Sequence, residues 1–120
     1  METVFFGNSG AEANEAAIKL TRLHAQNKGI DAPVVITFDG SFHGRTMATL
    51  SATGNAKVHN GFTPLVESFL QLPYNDLAAI ETAADANPNI VAVMVEPILG
   101  EGGIEVPDEG YLQGLSLIHI

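Results

Sequence analysis

The chain contains no cysteine. That removes disulfides, thiolate metal sites and cysteine nucleophiles together, and it is compatible with a reducing cytoplasm. Positive charge is also scarce: five Lys and Arg stand against 14 Asp and Glu, giving a net charge of −9. Binding nucleic-acid phosphates requires clustered Lys and Arg, so nucleic acid is excluded as a partner. The acids are dispersed along the chain and read as a solvated surface. A small anion is still compatible, because a helix N-terminus and one well-placed Arg outweigh the global charge locally. No apolar run approaches the roughly 18 residues that cross a bilayer, which argues against a membrane span. The opening Met1-Glu2-Thr3 lacks the basic and apolar character of a signal peptide. Four histidines, His24, His43, His59 and His119, are scattered without an HExxH arrangement, so no metal site is expected. Neither the P-loop pattern GxxxxGK[ST] nor GxGxxG occurs.

What the chain does have is apolar content of 46% over 120 residues, enough for a core and for at most one domain. A short apolar lead-in, Val4–Phe6, precedes a predicted helix from about Ala11 to Asn27. Ala13, Ala16, Ala17, Leu20 and Leu23 repeat at three-and-four spacing and are expected to form its buried face, with Lys19, Arg22 and Gln26 opposite and Gly29 as the stop. Ala32–Phe38 and Ile90–Val95 are continuous apolar runs, the pattern of strands buried on both faces. Thr46–Ser51 reads as a short helix and Thr53–Pro73 as mostly loop. Asp76–Ala86 reads as a helix capped by Asn75 and ended by Asn87-Pro88. Pro107-Asp108-Glu109 reads as another helix start, running into Tyr111, Leu112 and Leu115. Helix, strand, helix, strand in alternation predicts an α/β layering on a parallel sheet.

Three segments carry candidate chemistry. Ser9-Gly10-Ala11-Glu12 is a capping box, in which Ser9 caps the helix and Glu12 bonds back. It also suits an anion cradle, since Gly10 and Ala11 let a phosphate approach free N–H groups at the positive end of a helix. Phe42-His43-Gly44-Arg45 follows a buried strand, where ligand loops occur; a flat aromatic can stack on a ring, and Arg can grip a carboxylate with two parallel hydrogen bonds. Glu96 and Glu101 lie in a loop dense in Gly and Pro (Pro97, Gly100, Gly102, Gly103). They read either as an acid/base pair or as solvated turn acids, and neither reading accounts for so many Gly and Pro residues, which mark unusual angles or close backbone approach.

As a set, these segments resemble the class III pyridoxal-phosphate aminotransferases, and within them the acetylornithine and succinylornithine branch. Phe5-Phe6-Gly7-Asn8-Ser9-Gly10-Ala11-Glu12-Ala13-Asn14-Glu15-Ala16-Ala17 is similar to the family's phosphate-site segment. Phe42-His43-Gly44-Arg45-Thr46 is similar to its ring-stacking loop, and Glu96-Pro97-Ile98 with Gly100-Glu101-Gly102-Gly103 to its third signature; Tyr111-Leu112-Gln113-Gly114-Leu115 follows the pattern as well. The resemblance implies part of the large domain of the aspartate-aminotransferase-like, fold type I architecture, a mostly parallel sheet with helices. It implies pyridoxal 5′-phosphate as cofactor, with Ser9, Gly10 and Ala11 on the phosphate, Phe42 on the pyridine ring and His43 at the cofactor edge. Arg45 and Glu101 would face the substrate, and Glu96 would support the site. The implied reaction exchanges an amino group between N-acetylornithine, or a related ω-amino substrate, and 2-oxoglutarate, in a parent that is a cytoplasmic homodimer of arginine metabolism. Other class III enzymes, acting on 4-aminobutyrate, ornithine or glutamate semialdehyde, and a non-catalytic phosphate-binding module, are the alternatives.

The chain also departs from the family. None of Lys19, Lys28 or Lys57 stands where the resemblance places the cofactor-bearing lysine, and the Asp that pairs with the pyridine nitrogen has no counterpart. No catalytic residue is therefore expected within the chain, which is expected to be inactive by itself. Leu99 stands where the family usually has Gln. Ser116-Leu117-Ile118-His119-Ile120 is apolar and uncharged where a polar amphipathic helix is expected to continue. Residues 1–115 are therefore expected to be the piece of the large domain, and 116–120 a tail foreign to it.

Overall fold

A computed structural model describes residues 3–118; Met1 and Glu2 of the opening, and His119 and Ile120 of the tail, lie outside the described residues. Its centre is a parallel three-stranded sheet in the order β2-β1-β3, with β1 at Val34–Phe38, β2 at Phe69–Leu72 and β3 at Ile90–Val93. β1 is the middle strand, and Val35, Ile36, Thr37 and Phe38 are all buried. Both of its faces are covered, which is why its sequence is continuously apolar rather than alternating.

One face carries the main core: Ile36, Phe38, Ile80, Ile90 and Tyr111, with Leu70, Leu72, Tyr74 and Leu77 packed against them. Ile80 comes from α4 (Leu77–Ala86) and Tyr111 from α5 (Tyr111–Leu117). The rings of Phe38, Tyr74 and Tyr111 form an edge-to-face series, with centroids 6.0 and 5.4 Å apart. The other face receives α1 (Gly10–Asn27), whose Asn14, Ile18 and Thr21 share a cavity of about 270 Å³ with Val35 and the β3 residues Ala92 and Val93. α2 (Met47–Ala52) packs beside α1, and α3 (Ala56–His59) beside α2.

The expected face of α1 is corrected. Ile18 and Ala25 are its buried residues, whereas Leu20 and Leu23 are 63% and 55% exposed and Ala13 and Ala17 are exposed. Counting Ala and Leu alone selects a stripe rotated away from the sheet; the stripe Asn14, Ile18, Thr21, Ala25 has the same spacing but includes polar residues. The helix ends at Gly29, whose φ is +74°. Ile30 N–H donates to Ala25 C=O at 2.9 Å and Gly29 N–H to Gln26 C=O at 3.0 Å, the paired bonds of a glycine C-terminal cap.

Three further expectations are refined. Thr53–Pro73 is mostly irregular, as expected, but it also holds α3 and β2, and β2 pairs with β1 from Val35↔Phe69 to Phe38↔Leu72. Four residues with a polar Gln71 are too short a pattern to declare a strand; neighbouring β1 makes it one. The cap of α4 is Asp76, which accepts Ala79 N–H at 3.0 Å, while Asn75 has a φ of +63° and accepts the N–H of Asp108. α5 begins at Tyr111 rather than at Pro107, because Gly110 sits at φ +89° immediately before it. It continues to Leu117, and Ile118 packs against the core.

Candidate functional site

Parallel strands put all their exits at one edge, so the segments after Phe38, Leu72 and Val93 leave the sheet on the same side. The segment after β1 turns at Gly40 and is fastened by a clasp from residues 53 and 54. Gly40 N–H donates to Gly54 C=O at 2.8 Å, and Gly54 N–H returns to Ser41 C=O at 3.0 Å. The Ser41 hydroxyl donates to Phe38 C=O at 2.6 Å, and the Thr53 hydroxyl oxygen accepts His43 N–H at 2.9 Å while donating to Thr49 C=O at 2.9 Å. A Cβ on Gly54 would collide with the carbonyl oxygen of Phe38, so this crossing admits only glycine.

The clasped loop touches both other candidate segments. On one side, the Asn14 side-chain amide of α1 donates to His43 C=O at 2.8 Å, Thr46 Oγ1 donates to Glu15 Oε1, and a Cβ on Gly44 would stand 3.0 Å from the Ala11 methyl. On the other side, Phe42 N–H donates to Glu96 Oε1 at 2.5 Å. Glu96 is itself held: its C=O accepts the Tyr74 hydroxyl at 3.0 Å. Leu99 packs on Gly40, and a Cβ on Gly102 would stand 3.2 Å from Gly40 C=O. The Gly-rich loop thus comes close to backbone, which accounts for its composition.

At the α1 terminus, Ser9 Oγ accepts Glu12 N–H at 3.2 Å, and Glu12 Oε2 accepts the N–H of Asn8 at 2.5 Å rather than that of Ser9. Ala13 N–H is the first to bond within the helix, to Ser9 C=O. The N–H groups of Gly10 and Ala11 therefore have no partner inside the helix. The Ser9 oxygen acts as an acceptor in the cap, and its own O–H remains available to donate, so capping and anion binding are compatible on one side chain.

His43 is 4% exposed, and its Nε2 is buried without a hydrogen-bond partner among the described residues. Burial lowers its pKa below the ordinary 6.5, against a smaller raising effect of the Glu96 carboxylate. The imidazole is thus neutral at neutral pH. Arg45 is exposed and lies over the Phe42 ring, Cζ 5.8 Å from the centroid. Glu101 is exposed in the turn closed by Gly103 N–H to Gly100 C=O at 3.2 Å, on the hairpin that Leu99 and Glu105 pair across. The structure therefore joins α1 to the Phe42-His43 segment and that segment to Glu96 through hydrogen bonds, the link from α1 being made by Asn14 rather than by Ser9, Gly10 or Ala11. Glu101 reaches the group only through its own loop.

Sequence reasoning missed Asn14, Ser41, Thr53, Gly54 and Tyr74, which hold the site together. Asn14 has a legible signal: a polar side chain four residues before Ile18, on the buried stripe of a helix. Ser41, Thr53 and Tyr74 have none, because their work is hydrogen bonding to backbone distant in sequence.

The profile described as aminotransferase class-III matches residues 1–119. The chain is 55% identical over 118 residues to acetylornithine aminotransferase of Nitrosomonas europaea, covering 98% of this chain and 30% of that protein. It is 51% identical to acetylornithine aminotransferase 1 of Bordetella pertussis, covering 96% of this chain and 29% of that one. Among solved structures, the ornithine aminotransferase of Toxoplasma gondii superposes with a TM-score of 0.87 at 39% identity, over 92% of this chain and 27% of that one. An (S)-enantioselective ω-transaminase of Thermomicrobium roseum superposes with a TM-score of 0.85 at 28% identity, over 92% and 29%. The chain spans about 30% of the length of the curated relatives it matches. The matching profile, the relatives at half identity and the shared parallel α/β fold together establish that this chain belongs to the class III aminotransferase family.

Proposed function

We propose that the chain is part of the cofactor-binding large domain of an acetylornithine-type aminotransferase. The parent would move an amino group between N-acetylornithine, or a related ω-amino substrate, and 2-oxoglutarate. The observation that carries this reading is the joining of three segments at one sheet edge: α1 to His43 through Asn14, and Phe42 to Glu96. The identities to proteins named acetylornithine aminotransferase support the choice of substrate. On the family resemblance the parent is a cytoplasmic homodimer, and its partners are amino acid and 2-oxo acid substrates.

The residues present fit pyridoxal 5′-phosphate. The free N–H groups of Gly10 and Ala11 and the Ser9 hydroxyl suit a phosphate at the positive end of an 18-residue helix. Phe42 offers one ring face, the other being taken by Arg45. His43 brings a neutral imidazole with an unengaged Nε2. When bound, the cofactor supplies an electron sink for the carbon that carries the amino group. The chain's own residues bind and orient: Arg45 takes a substrate carboxylate through its two-pronged guanidinium, Glu101 stands on the substrate side, and Glu96 fixes the loop that presents both Phe42 and Arg45. None of Lys19, Lys28 and Lys57 stands where the family resemblance places the cofactor-bearing lysine, and Lys19 lies on the exposed side of α1, so the isolated chain is expected to have no transaminase activity.

The test is a chimera in which residues 1–118 replace the matching segment of the Nitrosomonas europaea enzyme. It is expected to transaminate N-acetylornithine with 2-oxoglutarate, and the Arg45→Lys variant is expected to raise KM. A chimera that folds and prefers ornithine or 4-aminobutyrate overturns the acetylornithine reading. One that binds phosphate and pyridoxal 5′-phosphate equally, without turnover, favours a binding module.

A further inference from the structure

The turn between α3 and β2 holds chemistry unrelated to amino-group exchange. Asn60 has φ −61° and ψ 125°, Gly61 has φ +84°, and Phe62 N–H closes the turn on His59 C=O at 3.0 Å. That is a type II turn with Asn and Gly at its two central positions. The closing bond belongs to Phe62, so the N–H of Gly61, in the central peptide, is not used by it. Asn60 and Gly61 are both exposed, nothing lies within 4 Å of where a Gly61 Cβ would be, and no hydrogen bond holds the Asn60 side chain among the described residues.

We propose that Asn60–Gly61 is a site of spontaneous deamidation and isoaspartate formation in this protein. The Gly61 backbone nitrogen loses its proton to water or base and attacks Cγ of Asn60. The new C–N bond closes a five-membered imide, the Cγ–NH2 bond breaks, and ammonia leaves with that proton. Water then opens the ring: at the main-chain carbonyl it leaves isoaspartate, at Cγ aspartate. One water is consumed and one ammonia released, with no oxidant or reductant.

Glycine at position 61 matters because no Cβ obstructs rotation of the Asn60–Gly61 peptide toward the side chain. The other asparagines with a described side-chain bond, and the related Asp-Gly step, are restrained. Asn55 Oδ1 accepts Lys57 N–H, Asn75 Oδ1 accepts Asp108 N–H, and Asn87 Oδ1 accepts Asn89 N–H. Asp39–Gly40 has the same sequence logic, but Gly40 N–H is committed to Gly54 C=O and Leu99 packs over it. The product places a new carboxylate on the residue that ends α3, where a negative charge opposes the helix dipole.

The experiment is incubation of the 120-residue chain in warm, mildly alkaline buffer. It is followed by peptide mapping with mass detection, and by methyl transfer from S-adenosylmethionine with an isoaspartyl carboxyl methyltransferase as the isoaspartate probe. The expected result is conversion at Asn60 at least roughly tenfold faster than at Asn8 or Asn55, with methyl label on the Asn60 peptide that the Asn60→Gln variant abolishes. Conversion spread evenly over the asparagines, or label persisting in Asn60→Gln, overturns the proposal. Because the mapping resolves each asparagine of the unaltered sequence, it decides between these outcomes even if the variant fails to fold.

Discussion

The Glu96 carboxylate accepts the backbone N–H of Phe42 at 2.5 Å, across 54 residues of sequence. Among the described residues it is the one direct hydrogen bond between the loop after β1 and the segment after β3, and its acceptor is ionised, which makes it stronger than a neutral pair. Removing the carboxylate leaves a half-buried N–H without a partner, at a cost of about 1–3 kcal/mol. Glu96→Ala is therefore expected to speed hydrogen exchange at the Phe42 amide roughly tenfold to a hundredfold. Glu96→Gln, which keeps an acceptor, should produce a smaller change. Unchanged exchange at Phe42 in the alanine variant would show that the loop is held by the Ser41–Thr53–Gly54 clasp alone.

Two glycine replacements separate close approach from helix propensity. Gly54→Ala drives a methyl group into the Phe38 carbonyl and is expected to cost about 3 kcal/mol. Gly10→Ala sits in the first turn of α1 with open space around it and is expected to be neutral or to stabilise by about 0.4–1 kcal/mol. Urea titration followed by circular dichroism gives both values. Equal effects at the two positions would contradict the clasp.

Much of this fold was legible beforehand. β1 and β3 announce themselves as continuous apolar runs because both faces of the sheet are covered, and α1 ends at Gly29 because only glycine takes that left-handed turn without cost. The face of α1 was not legible, since Leu20 and Leu23 advertise burial yet lie exposed. Apolar residues record every surface they are suited to cover, whether or not that surface lies within these 120 residues. β2 was hidden because its strand character comes from its neighbour. The site motifs could be read from residue type. Their fastening could not: Thr53 and Tyr74 act through backbone groups that are brought near only by folding.

His43 gives a pH signature. Its folded pKa lies below 6.5, so the unfolded chain binds a proton first as pH falls. The sign follows: stability from this group is full above 6.5, declines as pH drops below 6.5, and stops declining once pH passes the lower, folded pKa. Free energies of local opening, measured by hydrogen exchange at the His43 and Gly54 amides, are expected to fall over that window, with the slope reduced in His43→Asn. A slope of opposite sign, or one unaltered in the variant, would remove the buried neutral imidazole from the description.

On the proposed function, the α1 terminus and the loop after β1 form two sides of one cradle for a phosphorylated aromatic ring. The most direct measurement is an amide NMR titration with 4′-deoxypyridoxine 5′-phosphate, which keeps ring and phosphate but lacks the aldehyde that reacts with any lysine, run against inorganic phosphate. The predicted result is that phosphate shifts Gly10 and Ala11 alone, whereas the ring compound shifts these together with Phe42, His43 and Arg45. Shifts at Gly10 without Phe42, or identical responses to the two compounds, would contradict it.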